Sequence, residues 1–156
     1  MINDSLLEAF DLTWQVYEKA FSVIPDEEWS KGEIEYLTPS RIIYHAIETA
    51  EWYSGESRDF EWGHLTGTGP EDSAAEDLPS KEKLLDYHEL VKKHITERLE
   101  SMSDKELLSE ETVFKWTGST KLSRFLYVLS HYRNHFGEIN AELRHRGLDR
   151  VKWTTF

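Results

Sequence analysis

Apolar residues recur along this chain at spacings of three and four, the period of a helix with one face in a core. Leu7, Phe10, Trp14, Tyr17 and Phe21 form the first such stripe and predict a helix from about Asp4 to Ser22. Pro25 and the acids around it break the pattern. It resumes after Thr38 and Pro39, a hydroxyl residue followed by proline, which is how many helices open. Ile42, Ile43, Ala46 and Tyr53 carry this second helix to a stop near Gly55. A third opens at Ser80, with Leu84, Val91, Ile95 and Leu99 on one face. Ser103 and Glu106 have capping-box spacing and predict a short extra turn. Val113 to Thr120, VFKWTGST, reads as a short extended, hairpin-like loop. The last long helix is predicted from about Lys121 to Arg146, on the stripe Phe125, Leu129, Tyr132, Phe136, Ile139 and Leu143. Gly147 is its stop, and Arg144 and Arg146 complement the dipole there.

Four amphipathic helices in 156 residues predict an all-α four-helix bundle, one domain over residues 1–156. Residues 54–80, between the second and third helices, hold seven acids and one arginine, a net charge of -6. Their Gly, Pro, Ser and Asp content excludes a helix. So long a connection is unusual inside a compact domain. In a bundle it lets consecutive helices run parallel, so a crossover is expected here. No internal repeat and no linker to a second domain is visible.

Composition narrows the chemistry. Six Trp, seven Tyr and seven Phe supply enough apolar surface to fold without cross-links. There is no cysteine, so disulfides, thiolate metal sites and a cysteine nucleophile are excluded. A metal site must draw on His, Asp, Glu or water, and a transferred thiol must come from a substrate. The net charge of -12 repels a phosphate backbone and argues against nucleic acid as a partner. No apolar run predicts a membrane span, and MINDSLLEAF has neither the basic nor the apolar part of a signal peptide. A cytoplasmic location is the expectation.

Against that background the histidines carry the candidate chemistry. His131 and His135 stand four apart on the last helix, so both imidazoles lie on one face, beside the apolar stripe. Two readings stay open: a pair converging on a cation, as in many zinc sites, or two solvated or hydrogen-bonded side chains. Glu138 and Glu142 continue that face. A third ligand is needed, and His45, within RIIYHAIETAEW, is the best placed, although a lone histidine there also reads as a core residue. His88 is the reserve, as ligand or as a hydrogen-bonded core histidine. His94 reads as solvated, His64 as a surface or mouth residue, and His145 as a poor ligand among arginines. A di-iron bundle fails on count, since the only helical Glu-x-x-His is Glu142–His145.

The segment YHAIETAEWY, the long connection after it and the run HYRNHFGEINAELRHRGLD resemble the DinB/YfiT-like superfamily across nearly the whole chain. That resemblance implies a four-helix bundle with a crossover, and a metal held by His45, His131 and His135. The chain departs from the group's pattern in three places. Phe136 stands where a basic residue is frequent, Glu138 where an amide is frequent, and the 54–80 loop is unusually acidic.

Three neutral imidazoles leave metal positions free for water or substrate, whereas structural zinc sites are usually closed by four protein ligands. Characterised members of the group include S-transferases and isomerases that use low-molecular-weight thiols, and others are described as hydrolases. The resemblance therefore implies a metal-dependent transferase or hydrolase acting on a small molecule. Imidazole donors suit Zn²⁺ or Ni²⁺ first, then Fe²⁺ or Mn²⁺. Glu48 and Glu138, each a turn from a candidate ligand, are the candidate catalytic residues, as imidazole N–H acceptors or as a general base. Arg41, Arg124 and Arg133 are the cations nearest by helical position. The alternative is a non-catalytic bundle that binds metal or takes part in a stress-related interaction. Faces carrying Trp14, Trp52 and Tyr53 would then serve contacts such as a homodimer.

Overall fold

Five α-helices carry the chain in a computed structural model that describes residues 1–153: α1 (Ile2–Val23), α2 (Pro39–Ser54), α3 (Lys81–Ser101), α4 (Asp104–Leu107) and α5 (Lys121–His145). Among the described residues there is no strand, only an isolated antiparallel bridge between Glu110 and Thr120. The fold is all-α, and none of the described helices is long and apolar enough to cross a membrane. The predicted extra turn is α4, closed by the Ser103–Glu106 capping box.

The apolar stripes are buried. Phe10, Trp14, Tyr17 and Phe21 of α1 meet Leu84, Val91, Ile95 and Leu99 of α3 and the α5 stripe in one core, with Leu7 at its margin. Each such side chain contributes about 1.5–3 kcal/mol by leaving water. α2 packs against α3 and α5, and α1 packs against the same two helices. From α2 into the residues just after it, contacts with α3 advance together: Tyr44 meets Tyr87, and Glu56, two residues past the end of α2, pairs with Arg98. Along α2 and α5 they advance oppositely, with His45 beside His135 and Tyr53 beside Tyr127.

Helix ends follow local chemistry. The Ser80 hydroxyl accepts the Lys83 N–H and starts α3, and Thr120 does the same for Ser123 at α5. α5 ends where Gly147 takes φ +71° and the Leu148 N–H reaches back to the Leu143 carbonyl at 2.8 Å. α2 opens with Thr38 and Pro39 and stops at Gly55, as expected. Two expectations are corrected. The Thr38 hydroxyl makes no cap bond and donates to the Glu35 carbonyl instead. Residues 113–120 are closed at their base by antiparallel pairing but are not extended: the Glu111 carboxylate accepts the N–H groups of Val113 and Phe114, and the chain curls into a 3-10 turn at Lys115–Thr117. Trp14 and Tyr53 belong to the core, so neither offers an outer face.

Two buried polar groups depart from their sequence-based roles. Arg124 lies between the Phe114 and Phe125 rings, donates to the Gly55 carbonyl and pairs with Glu111 at 3.1 Å, both side chains being 1% exposed. It braces α5 rather than serving a site. His88 has no hydrogen bond at either nitrogen and packs near Tyr17 and Phe21, so it is neither a ligand of the triad nor a bonded core histidine. Burial, with Lys92 nearby, pushes its pKa down to about 3.

Removing one partner of a buried pair strands the other charge. Glu111→Ala is therefore expected to destabilise the fold by about 3 kcal/mol in urea titration. A loss under about 1 kcal/mol would mean that water reaches Arg124.

Candidate metal centre

The pairing of α2 with α5 places His45 opposite His131 and His135. On α2 the side chains around His45 from Ile42 to Ala50 are buried, while His45 itself sits at the edge of the core. On α5 the two histidines stand one turn apart, flanking buried Tyr132 and Phe136. His45 Nε2 lies 3.3 Å from His131 Nε2, which lies 3.0 Å from His135 Nε2. One ligand atom from each ring falls within 4.8 Å of the others.

Carboxylates set the proton positions of two of these rings. His135 Nδ1 is 2.6 Å from a Glu138 carboxylate oxygen, so Nδ1–H donates and Nε2 turns a lone pair to the centre. His45 Nδ1 is 3.6 Å from the Glu71 carboxylate, which favours the same tautomer. Burial lowers the pKa of His131 to about 3, with the neighbouring His135 and His45 adding to it, and burial likewise lowers His45. Both are neutral at pH 7.

Without a cation, a His131 Nε2–H can donate to a neighbouring lone pair; with that proton on Nδ1 instead, all three Nε2 atoms are free to bind one metal. Neighbouring donors around a tetrahedral metal with 2.0–2.1 Å bonds lie about 3.3 Å apart. The observed 3.0 and 3.3 Å fit that spacing, and His131 and His45 are neutral as ligation requires. A second group of ligand atoms, from Glu18, His88 and Glu89, also lies within 4.8 Å, but the Lys92 ammonium stands 2.6 Å from Glu18 and supplies the positive charge there.

The other candidate residues separate. Glu138 joins the triad as the acceptor for His135. Glu48 turns away: its fully buried carboxylate accepts the Gly63 N–H at 2.6 Å and the Tyr44 hydroxyl at 3.3 Å, with His64 Nδ1 at 3.7 Å. Burial raises its pKa despite those bonds. Gly63 has φ +75°, and a Cβ there would come within 2.1 Å of the Thr68 backbone. Arg41, 3% exposed, donates to the carbonyls of Glu35, Pro70 and Glu71. Arg133 lies over the Trp153 ring, His94 stands apart from the triad, and His145 pairs with exposed Glu33.

Arg41 and Glu48 sit four residues before and three after His45, on its face of α2, and both hold the acidic loop. The loop thereby walls two clefts that share His45 and Glu71. One, of about 360 Å³, adds Trp62, Pro70 and Asp72; the other, of about 200 Å³, adds Tyr36, Arg41, His135 and Glu138. Glu71 and Trp62 were not singled out by sequence reasoning. The only signal was that so long a loop needs a purpose.

Because the folded-state pKa of His131 lies below the free value of about 6.5, its neutral form stabilises the fold fully above that pH. That contribution is lost as pH falls from 6.5 toward 3. In metal-free protein the His131 ring resonances are expected not to titrate between pH 7 and 5, while long-range ¹H–¹⁵N spectra show His135 protonated on Nδ1. Titration of His131 near 6.5 would show the centre to be solvated.

Residues 9–139 match the profile of the DinB superfamily. No curated protein and no solved structure matches the chain. The match takes in α2, the acidic loop and the histidine pair of α5, and the chain belongs to the DinB superfamily.

Proposed function

We propose that the chain is a metal-dependent enzyme with His45, His131 and His135 as its ligands, acting on a small molecule by thiol-dependent S-transfer or by hydrolysis. The observation that carries this reading is the convergence of three imidazole nitrogens beside two clefts, with no fourth protein donor in the group among the described residues. When bound, a divalent metal supplies Lewis acidity, making a water or a thiol more acidic at neutral pH. The chain's own residues do the rest. Glu138 holds the His135 proton on Nδ1, and the Glu71 carboxylate favours the same for His45. Tyr36 and Trp62 wall the two clefts. Glu48 serves as a positioning residue, fixing the loop through Gly63. Zn²⁺ or Ni²⁺ fits a nitrogen-only donor set without thiolate.

The scaffold of this reading is a single domain in which α1, α2, α3 and α5 form a four-helix bundle and residues 55–80 make the crossover. The common direction of contacts along α2 and α3 supports it.

Elemental analysis of protein purified without added metal tests the ligand set. His131→Ala and His135→Ala are expected to lose the metal, and Glu138→Ala to weaken it about 10- to 100-fold. Because burial depresses His131 and His45, metal binding should persist below pH 6.5, farther into acid than free imidazole allows. Unchanged metal content in His131→Ala would remove the site. Wild-type turnover of a thiol with an electrophile, or of an ester or amide, lost in that variant, supports the enzyme. Metal binding without turnover across those substrates favours the non-catalytic alternative.

A further inference from the structure

The cleft of about 360 Å³ beside His45 shows solvent an indole and two carboxylates. Trp62 is 42% exposed, its ring set against Trp52 and Phe60 at centroid distances of 5.1 and 4.9 Å. The Asp72 side chain makes no hydrogen bond or ion pair among the described residues, and Glu71 approaches only the His45 imidazole, at 3.6 Å. Arg41 is buried against three backbone carbonyls and pairs with Glu35, so its charge is matched there. The carboxylates of Glu71 and Asp72 therefore bias the cleft toward negative potential, inside a chain of net charge -12.

We propose that this cleft binds a small organic cation, an ammonium-bearing molecule, with its charged group between the Trp62 ring and the carboxylates of Glu71 and Asp72. The cation is the substrate class of the enzyme proposed above, and only that last statement rests on the enzyme reading. An aromatic face and a carboxylate both favour a cation, and together they exclude a carboxylate-rich ligand. A bare divalent ion fits less well: neither Glu71 nor Asp72 belongs to any group of three ligand atoms within 4.8 Å among the described residues. The volume suits a small molecule. The cleft reaches the triad directly, because His45 lines it.

Choline chloride and its neutral isostere 3,3-dimethylbutan-1-ol separate charge from shape. Calorimetric titration of the full chain as purified is expected to show choline binding at least about tenfold tighter than the isostere. The affinity should fall as salt is added. Trp62→Ala and Asp72→Asn should each weaken choline several-fold without changing metal content. Asp72 is exposed, so its variant folds whatever becomes of the indole packing. His131→Ala should lose metal yet keep choline binding, which separates failure of this proposal from failure of the enzyme reading. Equal binding of isostere and choline, tighter binding of succinate than of choline, or no binding of choline would each overturn the proposal.

Discussion

Arg41, His45 and Glu48 share one face of α2, and the candidate site depends on how that face is divided. The middle residue reaches across to α5, while the outer two reach up into the acidic loop. Burying a guanidinium and a carboxylate is costly unless each finds partners. Here the partners are the loop's own carbonyls and the Gly63 amide. The loop has few apolar residues to bury and would not settle on the helices by hydrophobic contact alone. It is held by backbone groups that these two charges require. His45 lies between the anchors, so the segment they fix becomes the wall of its clefts.

The same economy explains why the histidines remain neutral. Three imidazoles this close could share a proton, but burial and mutual proximity keep His131 and His45 from gaining one at pH 7. Glu138 and Glu71 approach the outer nitrogens rather than the inner ones. Negative charge outside and three converging ring nitrogens inside is an arrangement suited to a divalent cation.

Much of this was legible in the sequence because it rests on periodicity. The stripes on α1, α3 and α5 gave the helices, and the four-residue step gave the shared face of His131 and His135. What periodicity could not give was the destination of side chains that leave their own helix. Glu48 has the spacing of a partner for His45, yet it bonds Gly63, because an amide donor in the loop lies closer to hand. Arg124 has the helical position of a site residue and is drawn into the core by Glu111. His88 lies on an apolar stripe and stays there without a hydrogen bond. Thr38 precedes a proline, but its hydroxyl turns back to Glu35. Each of these outcomes depends on a loop conformation, and loop conformation here rests on single contacts rather than on a repeating pattern.

The acidity of the 54–80 loop acquires a physical role on the same grounds. Had it served only to keep the chain dissolved, its charges would be spread evenly over the surface. Instead Glu71 and Asp72 stand at a cleft lined by His45, and the Arg41 guanidinium is turned inward. An excess of negative charge held at a mouth raises the local concentration of positive ligands and repels anions. On the readings proposed above, that bias would favour both a metal ion at the triad and an organic cation in the cleft. The loop that builds the clefts therefore also selects by charge what enters them.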